Sequence, residues 1–365
     1  SPNPGFRGYG PSFVNPRTGE ILGADIMLEY PSLFGQVIVG DIFNKNIEEE
    51  VIDFRNIDQM RCSAGYLMAE STLFGHAVVN AFDNSDLEIK NIAHDFMMRL
   101  IMHEVGHTLG LYHNMKGSQL FTPEELSTPS FIEGKALSTS VMEYPAINIS
   151  KDRSKQGIYY DNAVGPYDEW AIQLGYQPFK SKLERENLLK KSTQPELAFG
   201  NDYDDMRSSN IGIDPRVNIY DLSNDAIRYS IDRIQLVDAT MKNIKNKLVS
   251  EGESYQQLTY AYYILQSEYR KAGVVMSRYI GGVYVDRAMV GQPGATQPYT
   301  PVSLEDQKRA MDGISKYVFA PNAFDAPKDL YNYLARQRRG SNFSSGPEDP
   351  KIHKLVLSSQ KTVLS

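Results

Sequence analysis

His103-Glu104-Val105-Gly106-His107-Thr108-Leu109-Gly110-Leu111-Tyr112-His113 sets three histidines four and then six residues apart. Two histidines four apart stand one above the other on a helix face, so both imidazoles reach one metal ion. Glu104 directly follows His103, a placement that suits a carboxylate handling metal-bound water rather than binding the metal. Gly110 can take a positive φ and end the helix in a sharp turn, which swings His113 back to supply a third nitrogen. Three neutral imidazoles and one water make an open tetrahedral zinc site, the catalytic kind. The expected centre is one Zn2+ on His103, His107 and His113, with Glu104 as general base.

Blander readings compete with this one. A bare His-Glu-x-x-His arises by chance, and a helix histidine is more often a surface or packed residue than a ligand. Gly110 and His113 are further conditions, met in the right order. A rival zinc arrangement takes its third ligand from a glutamate on a later helix, here Glu124 or Glu125. Thr122-Pro123-Glu124-Glu125 reads instead as a loop leading into a short helix, and His113 is already well placed.

The pattern His-Glu-x-x-His-x-x-Gly-x-x-His resembles that of the metzincin clan of zinc endopeptidases. About thirty residues on, Ser140-Val141-Met142-Glu143-Tyr144 looks like the clan's Met-turn, whose methionine lies beneath the metal. Tyr144 matches a position where the astacin and serralysin branches carry a tyrosine near the zinc. Asn15-Pro16-Arg17-Thr18-Gly19-Glu20-Ile21, Tyr167-Asp168-Glu169-Trp170-Ala171 and Asp221-Leu222-Ser223-Asn224-Asp225 look like the bacterial Met-zincin zinc-dependent metalloproteases. Asn114 departs from the acidic residue that follows the third histidine in several metzincin branches.

The resemblance implies peptide-bond hydrolysis on a protein or peptide substrate, with Glu104 and Tyr144 catalytic. Met142 is then the structural floor, and Tyr144 hydrogen-bonds the developing oxyanion. It also implies an exported protein, secreted or in the bacterial cell envelope, with a leader and further domains upstream. Substrate would bind extended along an edge strand, for which Ala77–Phe82 is the candidate. Two alternatives stay open: a catalytically silent zinc-containing binding module of the cell envelope, and a zinc hydrolase of a non-peptide substrate. Retention of Glu104 argues against the first.

Bulk properties bound the rest. At 365 residues the chain can bury a large core, and its net charge of −7 argues against a nucleic-acid partner, which a basic face would serve. No run of about twenty apolar residues exists to span a membrane. Ser1-Pro2-Asn3-Pro4-Gly5 lacks the basic and then apolar stretch of a signal peptide. Lone Cys62 excludes an internal disulfide framework and reads as a small buried hydrophobe. No residue pattern specifies an oligomeric state.

The expected fold is α+β. A metzincin-like catalytic domain, with a small twisted sheet and the active-site helix, spans residues 1–180. A mainly helical region at 181–340 packs on it, and 341–365 form a mobile tail. Asn15 to Gly19 is a turn and Glu20 to Tyr30 a strand. Gly35 to Phe43 is strand or short helix, Asn46 to Phe54 a helix, Arg61 to Leu73 helix or loop, and His76 to Phe82 a short strand. The active-site helix runs from Asp86 to Leu109, its stripe of Ile89, Ile92, Phe96 and Leu100 continuing into His103. Gly165-Pro166-Tyr167-Asp168-Glu169-Trp170-Ala171-Ile172 opens a short helix that stops at Gly175. Asp202, Asp204, Asp205, Asp214 and Asp221 make Ca2+ conceivable, but their spacing matches no calcium loop; solvated turns with a helix cap at Ser223 are the favoured reading. Helices follow over 225–248, 254–279, from Ser303, and over 327–337, with a loop or hairpin at 281–302.

Overall fold

The computed structural model describes residues 8–9, 12–28, 64–82, 85–204, 212–335 and 349–364. The readings of 35–43, 46–54 and Cys62 lie outside these residues. Two helices bring the histidines into the core: α1, Ala64–Phe82, and α2, Asp86–Thr108. Ser85 caps α2 by accepting the amide of Glu88, and Asp86 and Glu88 place negative charge at the positive end of the helix dipole. Ile92, Phe96, Leu100 and His103 are all buried, so the stripe expected from sequence is the face that α2 turns inward.

The strand expected at His76 to Phe82 is the second half of α1. Ala77, Val78, Val79 and Ala81 are buried on more than one side, where α1 lies between α2 and the later helices. Burial all round erases the periodicity that separates helix from strand, and tertiary packing overrides the β-propensity of valine. Ala77–Phe82 therefore offers no sheet edge to a peptide. Gly75 lets Ile147 come close, since a Cβ there would overlap the Ile147 side chain.

The later chain supplies α3 (Pro166–Tyr176), α4 (Lys182–Leu189), α5 (Ala226–Lys247), α6 (Gln256–Ser277), α7 (Leu304–Tyr317) and α8 (Ile352–Leu364). Ser303 caps α7 as expected. The cap of α5 is Asp225, not Ser223, whose hydroxyl is engaged by the Phe121 carbonyl and the Asp225 amide. The helix expected at 327–337 shrinks to one 3-10 turn, Leu330–Tyr333. Within the supposed mobile tail, α8 buries Leu355, Ser359 and Val363, spaced four apart on one face. Gly273 of α6 admits this helix, because a Cβ there would crowd Val363 and Val318. The Ser- and Gly-rich stretch just before α8 hid that short stripe.

Strands are few. β1 (Gly8–Tyr9) pairs antiparallel with β4 (Met27–Leu28), β2 (Ser12–Val14) with β3 (Ile21–Ala24), and β5 (Val283–Val285) with β6 (Tyr299–Pro301). The class is α+β, and among the described residues no sheet exceeds two strands. The turn at Asn15 to Gly19 forms, with Gly19 at φ 75°. Ser12 Oγ donates to the Thr108 carbonyl at 2.9 Å, tying this N-terminal piece to the end of α2. No helix among the described residues is long and apolar enough to cross a membrane.

One hydrophobic cluster joins α1 and α2 to α5, α6, α7 and α8. Charge is buried within it. Lys271 of α6 bridges Glu70 of α1 at 2.9 Å and Glu268 at 2.8 Å, and Ser267 Oγ donates to Glu70 at 2.7 Å. Burial pushes the Glu70 carboxyl up, but Lys271 outweighs it and holds the group below its ordinary range. Arg233 of α5 donates to the Ile147 carbonyl at 2.7 Å, and Ser71 Oγ accepts the Ile147 amide at 2.9 Å. The helical core thus grips the segment that follows Tyr144. Lys271→Met leaves two buried carboxylates facing each other, so unfolding in denaturant should show a loss of about 3–5 kcal/mol. Adding Glu70→Gln and Glu268→Gln should recover most of it.

Candidate metal centre

The site begins with how α2 stops. Gly110 has φ 87°, its amide donates to the His107 carbonyl at 2.9 Å, and the Leu111 amide donates to the Gly106 carbonyl at 3.0 Å. This is the paired closure of a Schellman motif, which needs a left-handed residue that glycine supplies without strain. The chain reverses, and His113 returns to the face that carries His103 and His107. One nitrogen from each of the three rings lies within 4.8 Å of the others. Among the described residues, no other cluster of three or more His, Cys, Asp or Glu side chains has this geometry.

Each ring is oriented by its Nδ1. His103 Nδ1 lies 2.8 Å from the Val141 carbonyl, His107 Nδ1 3.1 Å from the Leu111 carbonyl, and His113 Nδ1 2.6 Å from Asp202 Oδ2. Carbonyl and carboxylate oxygens only accept, so all three Nδ1 atoms carry the proton and the Nε2 lone pairs are left to converge. Burial, then repulsion by the neighbouring imidazoles, holds His103 well below its ordinary pKa, and the same causes bring His107 down to about 4. Both rings are therefore neutral at physiological pH. His107 Nε2 and His113 Nε2 face each other at 3.0 Å. Two such lone pairs repel unless a cation stands between them. Neutral nitrogen donors, each with an outer hydrogen bond, are the donor set that Zn2+ takes, so the residues fit the ion.

Glu104 is fully buried beside His103. Tyr144 is buried too, packing with Ala64, Met115, Val217 and Ile219, and its phenol oxygen lies 2.9 Å from His113 Nε2. Met142 lies against α2 at Gly106, where a Cβ would overlap the methionine sulfur. The three histidines and Tyr144 are thus brought together, with Glu104 buried next to His103 in the chain and Met142 against the same helix. Glu124 and Glu125 are not: Glu125 closes a capping box with Thr122, and Glu124 pairs with Arg228. The aspartates considered for calcium take separate partners instead of one ion. Asp202 meets His113, Asp204 meets Arg287, and Asp214 meets Lys116 and Arg216. Buried Asp221 accepts from Gln119, and Asp205 lies outside the described residues.

Sequence reasoning missed what holds the 140–144 turn. Arg99, fully buried one helical turn before His103, donates to the carbonyls of Val141, Ser140 (3.3 Å) and Glu143 (3.0 Å). Its Nε lies 3.2 Å from Asp161 Oδ2. Asp161 in turn accepts from the amides of Leu137 and Ser138 and from the Ser138 hydroxyl. From the other side Asp168 of α3 accepts the Ser140 hydroxyl at 2.6 Å and the Val141 amide at 2.7 Å. Gly165 lets α3 approach, since a Cβ there would strike the Thr139 backbone. A signal existed: Arg99 is a charge on the buried face of an amphipathic helix, and a buried charge requires partners.

Residues 86–365 match the family described as Met-zincin. No curated protein and no solved structure matches the chain.

Arg99→Lys keeps the charge but loses the planar fork that reaches several acceptors at once. We expect a loss of about 1–3 kcal/mol in stability and about 10- to 100-fold in zinc affinity, read by denaturation and by chelator competition.

Proposed function

The chain belongs to the Met-zincin family, and from that premise we propose that it is a zinc-dependent endopeptidase. The observation that carries the proposal is the convergence of three Nε2 atoms, each ring fixed through its Nδ1, with Glu104 buried alongside. His103, His107 and His113 would hold the ion. When bound, zinc supplies Lewis acidity, which polarises a carbonyl and brings the pKa of water towards neutrality.

The remaining steps belong to the protein. Glu104 accepts a proton from the attacking water on its carboxylate and delivers it to the leaving amine. Its burial suits that work, because a carboxylate kept from bulk water exchanges its proton with the reactants rather than with solvent. Tyr144 donates its phenolic proton as a hydrogen bond to the carbonyl oxygen while charge develops there. That phenol oxygen lies 2.9 Å from His113 Nε2. Met142 is the apolar floor. The catalytic unit is assigned to residues 1–180 and the helical region to 181–340, in an exported or cell-envelope setting. The peptide-binding surface is assigned to no strand.

Zinc should load at about one ion per chain and leave with a strong chelator. Glu104→Gln should keep the metal and the fold but lower peptidase activity on a proteome-derived peptide library by at least about a hundredfold. Normal turnover in that variant would remove Glu104 from the mechanism. Zinc retained with no cleavage even in the wild type would favour a silent binding module. Tyr144→Phe should lower kcat by about ten- to a thousandfold with little change in KM, since the bond it removes strengthens only in the transition state. Unchanged kcat would leave the tyrosine a packing role.

A further inference from the structure

We propose that Asp202 is the positioning residue for the third ligand, its carboxylate, carried on a strap of residues 198–204, fixing the ring of His113. The inference rests on the zinc reading above. His103 and His107 find their Nδ1 acceptors in backbone carbonyls, one in the 140–144 turn and one in the local turn that ends α2. His113 stands beyond that turn, and its acceptor comes from a residue 89 positions away. A carboxylate at 2.6 Å is a charge-assisted partner that fixes the tautomer and the orientation of the ring.

The strap is built to hold that carboxylate in place. The Met115 amide donates to the Gly200 carbonyl at 2.6 Å. Asn114 Nδ2 donates to the Ala198 carbonyl at 3.0 Å, while its Oδ1 accepts the Gly200 amide at 3.1 Å. The amide side chain gives at one end and accepts at the other; an ionised acid would repel the Ala198 carbonyl. This accounts for an asparagine directly after the third histidine. Gly200 has no room for a side chain, since a Cβ would press on Val217 and Lys116. A tight turn then closes with the Asp204 amide on the Asn201 carbonyl at 2.9 Å, and Arg287 pins Asp204 at 2.6 Å. Asp202 sits within this turn. The segment that carries His113 thus also grips the strap that orients His113.

The test uses the full chain and two measurements: zinc affinity by competition with a chromophoric chelator, and the His113 tautomer by long-range proton–nitrogen NMR. Asp202→Ala should weaken zinc binding by about 10- to 100-fold and remove the single Nδ1-protonated form of His113 from the zinc-free spectrum. Asp202→Asn, close to isosteric, keeps an acceptor without charge and should fall between; it carries the test if the alanine variant unfolds. Asp204→Ala loosens the strap but leaves the Asp202 carboxylate, so it should lose clearly less zinc affinity than Asp202→Ala. Unchanged affinity and tautomer in Asp202→Ala would overturn the proposal. Equal losses in the Asp202 and Asp204 variants would overturn it too, because strap order and not the carboxylate would then be the cause. A wild-type protein that binds no zinc would sink the metal reading, while the zinc-free spectra would still decide the positioning role.

Discussion

The carbonyl oxygen of Val141 accepts from His103 Nδ1 and from Arg99 on the same helix, one turn apart. Through that one oxygen the direction of the first ligand and the placement of the 140–144 turn become a single constraint. If the turn shifts, His103 loses its orienting acceptor. If α2 rotates, Arg99 lets go of the turn. Asp161 behind the guanidinium and Asp168 on the Ser140 hydroxyl and Val141 amide close the arrangement from two further sides. A metal site needs its ligands held to a fraction of an ångström, and backbone acceptors clamped by buried charge meet that need better than mobile surface groups.

Buried charge is costly, which makes its distribution informative. The Glu70–Lys271–Glu268 group would be replaceable by apolar packing with little loss of stability. What apolar packing would not supply is direction. Arg99 aims at carbonyls of the turn below the histidines. Arg233, beside Glu268, holds the carbonyl of Ile147 just after that turn. Both networks end on the same loop, one from α2 and one from α5. The helical region is therefore no passive appendage to the centre, and Asp202 extends the same relation to the third histidine.

Legibility in the sequence followed the range of the interactions. The bounds of α2, its Ser85 cap, its buried stripe and the turn at Gly110 all depend on residues within a few positions, and the sequence displays them. The three histidines were readable for the same reason. Val78 and Val79 misled because a helix buried on several sides shows no amphipathic period, leaving β-branched content as the only cue. α8 was hidden by its polar neighbourhood. Asp202 was noticed only as one carboxylate among five, since nothing local marks a partner 89 residues away. Asn114 stood out as a departure from a pattern, and its meaning emerged once Ala198 and Gly200 lay against it.

Glu143, inside the turn, completes the electrostatic logic. Burial, then the neighbouring charge of Asp221, pushes its carboxyl well above the ordinary range, and burial pushes Asp221 up to about 7. The two oxygens of Glu143 accept the amides of Tyr144 and Ser118. It does the work of a backbone acceptor on the residue whose phenol reaches His113. The turn beneath the histidines is thus tied from within by Glu143 as well as from α2 by Arg99 and from α3 by Asp168.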